Sequence, residues 1–471
     1  MYIDGAFTGS VSGKTRALVD PGTEAVLVEL PYGDEEDAKL ALDAAAKALP
    51  AWSAKTAYER AAVLEKAAEL VAARAAESAV RTAEESGKPL AQARGEWVGA
   101  PNYLRVAAEQ ARSLGGRSVP SRLGSRRIDV THQPVGVVGV ITAWNFPIYN
   151  PNRAVSSALA AGCTAVLRPS EYTPRSAFDY ARAFADAGLP PGVLNVVHGD
   201  PAAMGQAMLD DPRCRKMAFT GSTRVGKLLM DGASRTVKRL SLELGGNAPV
   251  IVMPDVDVAA VAKSGVTAKL RNAGQVCIAP QRFYVHASVY DAFVGAAKSA
   301  MGREVLGHAL DPRTTLGPLI NAAQRERVAR IVDASEAMGA RRMADDEVLE
   351  GAGYFYRPTL LVNAPDDAPV LREEVFGPVM VVVPFEREEE ALAKANDTEY
   401  GLAAFVWTRD LRVATRLSDG LAFGMVGVND WYPVTAEAPF GGVKQSGMGR
   451  ESGMEGLLEY LEVKTRYTGL G

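Results

Sequence analysis

From residue 35 to residue 113 the apolar positions recur every three or four residues. "EEDAKLALDAAAKAL" and "AYERAAVLEKAAELVAARAAESAVRTAEES" keep this spacing and stop before Gly87 and Pro89. That period puts apolar side chains on one stripe of a helix, and glycine and proline end it, so amphipathic helices covering another layer are expected. From residue 135 the period changes. "VGVVGVITAW", "CTAVLRPS", "VLNVVHG", "RKMAFTGS" and "PVIVMPD" are short apolar runs, with helical "SAFDYARAFADAG" and "AAMGQAMLD" between them. Short β-branched runs separated by helices imply β-α-β units, a parallel sheet and a ligand at the carboxyl ends of its strands. After residue 250 comes a second set, with strands "RFYVHASV" and "VMVVVPF" and a helix in "NAAQRERVARIVDASEAMG". The expectation is an α/β chain of two parallel-sheet domains in tandem. Residues 118–134, "SVPSRLGSRRIDVTHQP", interrupt the first with an alternating polar stretch suited to an exposed hairpin, and the C-terminal "EYLEVKTRY" has strand character. Exposed strand edges invite pairing with another subunit, so a homo-oligomer, dimer or tetramer, is expected.

Composition narrows the partners. The 471 residues are 47% hydrophobic and 23% charged with a net charge of −4, enough apolar material for two or three packed domains. Mixed charge gives no basic field for nucleic acid and no polybasic run for a membrane surface, so a small-molecule ligand is expected. The opening "MYIDGAFTGSVSGKTRALVD" lacks a basic segment followed by an apolar one, and no apolar stretch reaches a membrane span, which reads as a cytoplasmic chain. Cys163, Cys214 and Cys277 are too few and too scattered for a disulfide scaffold, and with His132, His198, His286 and His308 they form no zinc pattern, so no metal is expected. A lone thiol is either a buried structural residue or a nucleophile.

One motif is ambiguous by itself. In "FTGSTRVGKLLM" (219–230), Gly221, Gly226 and Lys227 fall at the spacing of a nucleoside-triphosphate loop, but Leu228 stands where the magnesium-holding hydroxyl belongs. Strand, turn and helix here would put Gly221 and Ser222 at a helix N-terminus, where free N–H groups favour phosphate without a metal. The glycines equally suit a tight turn with no ligand.

Three further stretches resolve the ambiguity. "SLELGGNAPVIV" carries Glu243, "RNAGQVCIAPQRF" carries Cys277, and "ITAWNFP" puts Asn145 just past a strand end. Together with "FTGSTRVG", "EEVFGPV" (373–379) and "PFGGVKQSGMGRE" (439–451), in order along the chain, they closely resemble the aldehyde dehydrogenase superfamily. The resemblance runs from about residue 2 to the C-terminus. It implies a Rossmann-like cofactor domain over 1–117 and 135–245, a catalytic domain over 246–445, and a small β oligomerisation arm from 118–134 and 446–471. It also implies oxidation of an aldehyde: Cys277 adds to the carbonyl to give a thiohemiacetal, Asn145 and the Cys277 N–H hold the oxyanion, and Glu243 activates the water that hydrolyses the thioester.

For the cofactor, the resemblance assigns Trp144, Gly221, Ser222, Gly226, Leu244, Glu374 and Phe376, together with Arg168, Ser170 and Glu171 around the adenosine ribose. The family normally has lysine where this chain has Arg168. A carboxylate at Glu171 disfavours a 2′-phosphate while Arg168, with Arg224 nearby, attracts one, so NAD⁺ is favoured and NADP⁺ stays open. Within the family the chain is most similar to succinic semialdehyde dehydrogenases, which implies that Arg153, Arg271 and the hydroxyl of Thr435 bind the substrate's far carboxylate. Some members have a second cysteine two residues after the nucleophile; here Ala279 stands there, so no redox disulfide is expected. Trp431 and Tyr432 would line the tail site and suit a longer or aromatic aldehyde, the first alternative. A cofactor-independent thiol esterase is the alternative of another class.

Overall fold

The computed structural model describes residues 1–343 and 351–470; residues 344–350, inside the segment assigned to catalysis, and Gly471, at the end of the arm segment, lie outside the described residues. Helices α1 (Glu35–Ser53), α2 (Ala57–Ser86) and α3 (Leu90–Ser113) occupy the stretch with helical spacing. The first two begin at capping boxes, Asp34 with Asp37 and Thr56 with Glu59, which satisfy the free N–H groups of the first turn. The second stops at Gly87, whose φ of +73° is the left-handed cap that glycine adopts without strain.

These helices cover an eight-stranded sheet. Its centre is five parallel strands in the spatial order Arg239–Glu243, Cys214–Thr220, Val137–Ile141, Thr164–Arg168, Leu194–Val196. Val137–Ile141 and Thr164–Arg168 are buried at every residue, as apolar runs between two helical layers must be. Antiparallel Tyr2–Ile3 with Ala6–Phe7, and Gly447–Met448, close the two edges. The order reverses between Val137–Ile141 and Cys214–Thr220, and a crevice opens past the carboxyl ends of strands at such a switch point. Connections on this sheet include α4 (Tyr149–Ala161), α5 (Pro174–Asp186), α6 (Pro201–Asp210) and α7 (Thr223–Ser234).

A second sheet of seven strands follows, six of them parallel, in the order Thr359–Val362, Val379–Phe385, Pro280–His286, Ala248–Val252, Ala403–Trp407, Met425–Val428, with short antiparallel Arg341–Arg342 outside the first. Several of these strands were not evident from the sequence patterning, notably Thr359–Val362 and Ala403–Trp407. Helix α8 (Val258–Leu270) crosses between its first two strands. Each sheet has its own apolar core. The expected hairpin forms from Arg117–Val119 and Arg126–Pro134, and Leu461–Gly469 adds to it antiparallel from Leu461 opposite Pro134 to Gly469 opposite Arg126. Its apolar Val463 and Tyr467 are exposed. Among the described residues no helix is long and apolar enough to cross a membrane.

Candidate functional site

The strand Arg239–Glu243 of the first sheet ends at Glu243, and Gly245 and Gly246 carry the chain into Ala248–Val252 of the second. Cys277 lies on the opposite side of this seam, between α8 and the strand Pro280–His286. An unusual turn sets its position: Asn272, Ala273 and Gly274 follow one another at φ +49°, +53° and +73°. Side chains strain such a backbone, and it persists only where its surroundings hold it. Here they do. Gln275, fully buried, donates from Nε2 to the Asn272 carbonyl (3.0 Å) and accepts from the Ile320 N–H (2.9 Å). Asn272 Nδ2 donates to the Asn145 carbonyl (3.0 Å). A Cβ on Gly274 would lie 2.0 Å from the Gly377 carbonyl oxygen, so glycine is required.

Cys277 and Glu243 interact through their side chains, and each is perturbed. Burial pushes the Glu243 carboxyl up to about 8; the Arg153 guanidinium opposes this, and the Glu451 and Glu374 carboxylates add to it. One Glu243 oxygen is buried without a hydrogen-bond partner. The Cys277 thiol is held well above its ordinary range, first by burial and then by the Glu243 charge. The proton of this pair therefore stays near neutrality until a ligand or a rise in pH removes it. Asn145 joins them from the strand end after Ile141: its Nδ2 donates to the Gln275 carbonyl (3.1 Å) and its Oδ1 accepts from Asn150 (3.1 Å). An amide nitrogen carries two N–H groups, so one remains for a ligand in the cavity Asn145 lines.

Cys277 is part of the wall of two cavities. One, of about 280 Å³, is bordered by Trp144, Gly221, Ser222, Leu244, Glu374 and Phe376, with Asn145 and Glu243 at its inner end. It sits at the carboxyl ends of the strands flanking the switch point. Ser222 is the N-cap of α7. A Cβ on Gly226 would meet the Leu244 side chain at 2.6 Å, so this glycine lets Leu244 lie against the helix and shape the wall. Glu374 accepts from the Gly246 N–H (3.0 Å), and burial raises its carboxyl to about 7. Trp144 meets Phe376 edge to face at 5.5 Å. A narrow groove with aromatic and apolar walls, a buried carboxylate and a helix N-terminus suits a nicotinamide dinucleotide: free N–H groups for a pyrophosphate, an acceptor for ribose hydroxyls, an apolar slot for the ring.

Arg168, Ser170 and Glu171 lie apart from this wall, at the end of the next strand. Arg168 Nη2 donates to Glu171 Oε2 (2.9 Å) and to the Gly199 carbonyl (2.8 Å), while its Nε is buried and unpartnered. Ser170 Oγ accepts from the Tyr172 N–H (3.3 Å). Arg224 is exposed on α7, and Lys227 donates to Gln445 Oε1 (2.7 Å) on the surface.

The second cavity, of about 200 Å³, is bordered by Arg153, Arg271, Tyr103, Phe146, Tyr149, Tyr432 and Phe440. Two expectations change here. Thr435 is exposed in the loop beyond Val434 and is not among the residues of this wall, because the chain turns outward there. Trp431 is buried, tilted against the rings of Phe283, Phe405 and Trp407 with its Nε1 donating to Ser264 Oγ (3.0 Å), so it belongs to the core of the second sheet, and of the two only Tyr432 reaches the cavity. Arg153 is paired internally with Glu451.

The sequence reading missed several residues that hold this centre. Lys88 Nζ donates to Glu96 Oε2 (2.6 Å) and to the Asn145 carbonyl (2.8 Å), and Glu96 Oε1 accepts from the N–H groups of Ile148 and Tyr149. Gln324 Nε2 donates to the Phe376 carbonyl (2.8 Å), fixing a residue whose φ is +53°. Nothing in their spacing marks them.

A sequence profile described as the aldehyde dehydrogenase family matches residues 7–466. The mitochondrial succinate-semialdehyde dehydrogenase of Oryza sativa subsp. japonica is 41% identical over 98% of this chain and 88% of its own length. A glutarate-semialdehyde dehydrogenase of Pseudomonas aeruginosa is 40% identical over 98% of this chain and 96% of its own. A crystal structure of an E. coli NADP-dependent enzyme superposes with a TM-score of 0.98 at 39% identity, covering 100% of this chain and 98% of that one.

Proposed function

The chain belongs to the aldehyde dehydrogenase family, and from that premise we propose that it oxidises a carboxylate-bearing semialdehyde to the diacid with NAD⁺ or NADP⁺. The observation carrying this is the position of Cys277 in the wall of both cavities: one suits a nicotinamide dinucleotide, and the other presents a guanidinium, Arg271, at a distance from the thiol. Names of relatives acting on four- and five-carbon semialdehydes support the substrate class. Succinic semialdehyde is the first substrate to try, with glutaric semialdehyde next.

An aldehyde carbon has no electron pair with which to expel hydride until a nucleophile has added. The Cys277 proton passes to Glu243, the group it faces, and sulfur bonds to the carbonyl carbon. The oxygen becomes an alkoxide held by the second N–H of Asn145 and the Cys277 backbone N–H. A nicotinamide held between Leu244 and Phe376 would supply the hydride acceptor, and loss of hydride from the thiohemiacetal carbon would leave a thioester on Cys277. After Glu243 has released the Cys277 proton to solvent, it takes a proton from water as that water adds to the thioester carbon, and the carbon–sulfur bond breaks to free the acid and return Cys277 as thiolate. A base with a pKa near 8 is suited to this at mildly alkaline pH.

The domain roles follow the sheets: cofactor on the first, catalysis on the second, and the three-stranded arm as the place where subunits of a homo-oligomer meet, with its exposed Val463 and Tyr467. A cytoplasmic setting accords with free cysteines at all three positions. The test is reduction of NAD⁺ or NADP⁺ with succinic semialdehyde by wild type and Cys277→Ala. Turnover retained in the variant would overturn the reading, and ester hydrolysis by wild type that needs no cofactor, without reduction of NAD⁺ or NADP⁺, would favour the thiol esterase.

A further inference from the structure

The loop that carries Asn145 follows a strand of the first sheet and the turn that carries Cys277 precedes a strand of the second, yet one segment touches both. Lys88, just ahead of α3, donates from Nζ to the Asn145 carbonyl (2.8 Å), and Glu96, on α3, accepts from the N–H groups of Ile148 and Tyr149 (2.9 and 3.1 Å). Gln92, between them in the chain, reaches the other way: its Oε1 accepts from the Asn272 N–H (2.8 Å). Gln92 and Glu96 are four residues apart and so share a face of α3. Asn272 completes a ring, because its Nδ2 donates to the same Asn145 carbonyl that Lys88 holds (3.0 Å). The path Lys88, Asn145, Asn272, Gln92 thus closes on itself through the start of α3.

We propose that Gln92 is a positioning residue for the oxidation: from α3 it fixes the Asn272 turn against the Asn145 loop, and with it the spacing of the Asn145 amide and the Cys277 N–H around the substrate oxygen. This rests on the aldehyde-oxidation reading above. Asn272 and Ala273 are left-handed without being glycine, a backbone that relaxes unless it is held. The bonds from Gln275 to the Asn272 carbonyl lie within the turn and set its shape, whereas those to Gln92 and Asn145 set where it stands. Asn272 is only 2% exposed, so without the Gln92 acceptor its N–H is stranded away from water. A buried donor with no acceptor is unfavourable enough to draw the turn toward a new one. Two donors stabilise one developing charge only while both point at it, so such a shift weakens the transition state more than the bound aldehyde.

The test compares Gln92→Met, which fills similar space without an acceptor, with Gln92→Glu, which keeps one, in the first turnover of cofactor reduction with succinic semialdehyde. Gln92→Met is expected to lower that rate about tenfold to a hundredfold while the half-saturating aldehyde concentration stays within about threefold of wild type. Gln92→Glu is expected to restore the rate to within about threefold of wild type, since a carboxylate oxygen accepts the same N–H. Alkylation of Cys277 by iodoacetamide develops no oxyanion, so both variants are expected to react within about threefold of the wild-type rate. Gln92→Ala carries the test if Gln92→Met does not fold, and failure of both to fold overturns the inference, because the residue would then be structural. A Gln92→Met rate at the wild-type level, a Gln92→Glu as slow as Gln92→Met, or alkylation that falls along with reduction also overturns it alone. A wild type that reduces neither NAD⁺ nor NADP⁺ overturns the oxidation reading together with it.

Discussion

Lys88 and Glu96 form a 2.6 Å ion pair with both side chains only 1% exposed, and each partner also holds the loop that carries Asn145. Lys88 bonds the Asn145 carbonyl, and Glu96 receives the N–H groups that open α4. Removing one partner of such a pair strands the other in a low-dielectric interior at a cost of about 3–5 kcal/mol. Lys88→Met is therefore expected to lower stability by that order in urea unfolding. In whatever fraction folds, kcat is expected to fall more than KM rises, because the oxyanion donor is released.

Gly274 admits no side chain. Its φ of +73° and the 2.0 Å approach of an added Cβ to the Gly377 carbonyl mean that Gly274→Ala must move the turn that presents Cys277. The expected result is soluble protein with kcat reduced more than about tenfold, the scale on which small displacements of a reacting group act. Steady-state assay alongside thiol titration of Cys277 checks it.

Glu243 gives both activity and stability a pH dependence of known sign. As a base it must be ionised, so kcat is expected to rise with an apparent midpoint near 8, and Glu243→Gln to abolish that rise along with most of the hydrolysis step. Its carboxyl holds a proton more tightly in the folded chain than in the unfolded one, where 4.5 is the ordinary value. The stability it contributes is thus full below about pH 4.5 and is lost as pH rises through about 8. Thermal melts of Glu243→Gln should gain on wild type between about pH 5 and 9.

Where the adenosine end of the cofactor is expected, Arg168 is already engaged by Glu171 and the Gly199 carbonyl, and the Glu171 carboxylate is expected to disfavour a 2′-phosphate. Glu171→Gln removes the repelling charge and loosens Arg168. The kcat/KM ratio of NADP⁺ to NAD⁺ is expected to rise about tenfold or more. An unchanged ratio would place the discrimination elsewhere, Arg224 first.

Much of the architecture was legible in the sequence because the relevant signals are periodic: helical spacing in 35–113, short β-branched runs after 135, alternation in 118–134. Cys277, Glu243 and Asn145, which the structure brings to one cavity, stand in short motifs close to glycines or a proline that shape the local backbone. Thr435, placed by its spacing from "PFGG", and Trp431, placed by its neighbourhood in the chain, do not line the second cavity, because position along the chain gives distance but not direction: Trp431 is buried and Tyr432 beside it is exposed. Lys88, Glu96 and Glu451 were invisible as site residues because their partners lie 8, 8 and 298 positions away, respectively. Pairing at such separations leaves no periodic trace.

The shared wall at Cys277 has a consequence for traffic. Because Cys277 is in the wall of both cavities, a dinucleotide in one and an aldehyde in the other, as proposed, would meet at the same sulfur. Arg271 and Tyr432 line only the second cavity, so a change in aldehyde preference is expected to arise there while the residues of the first cavity stay as they are.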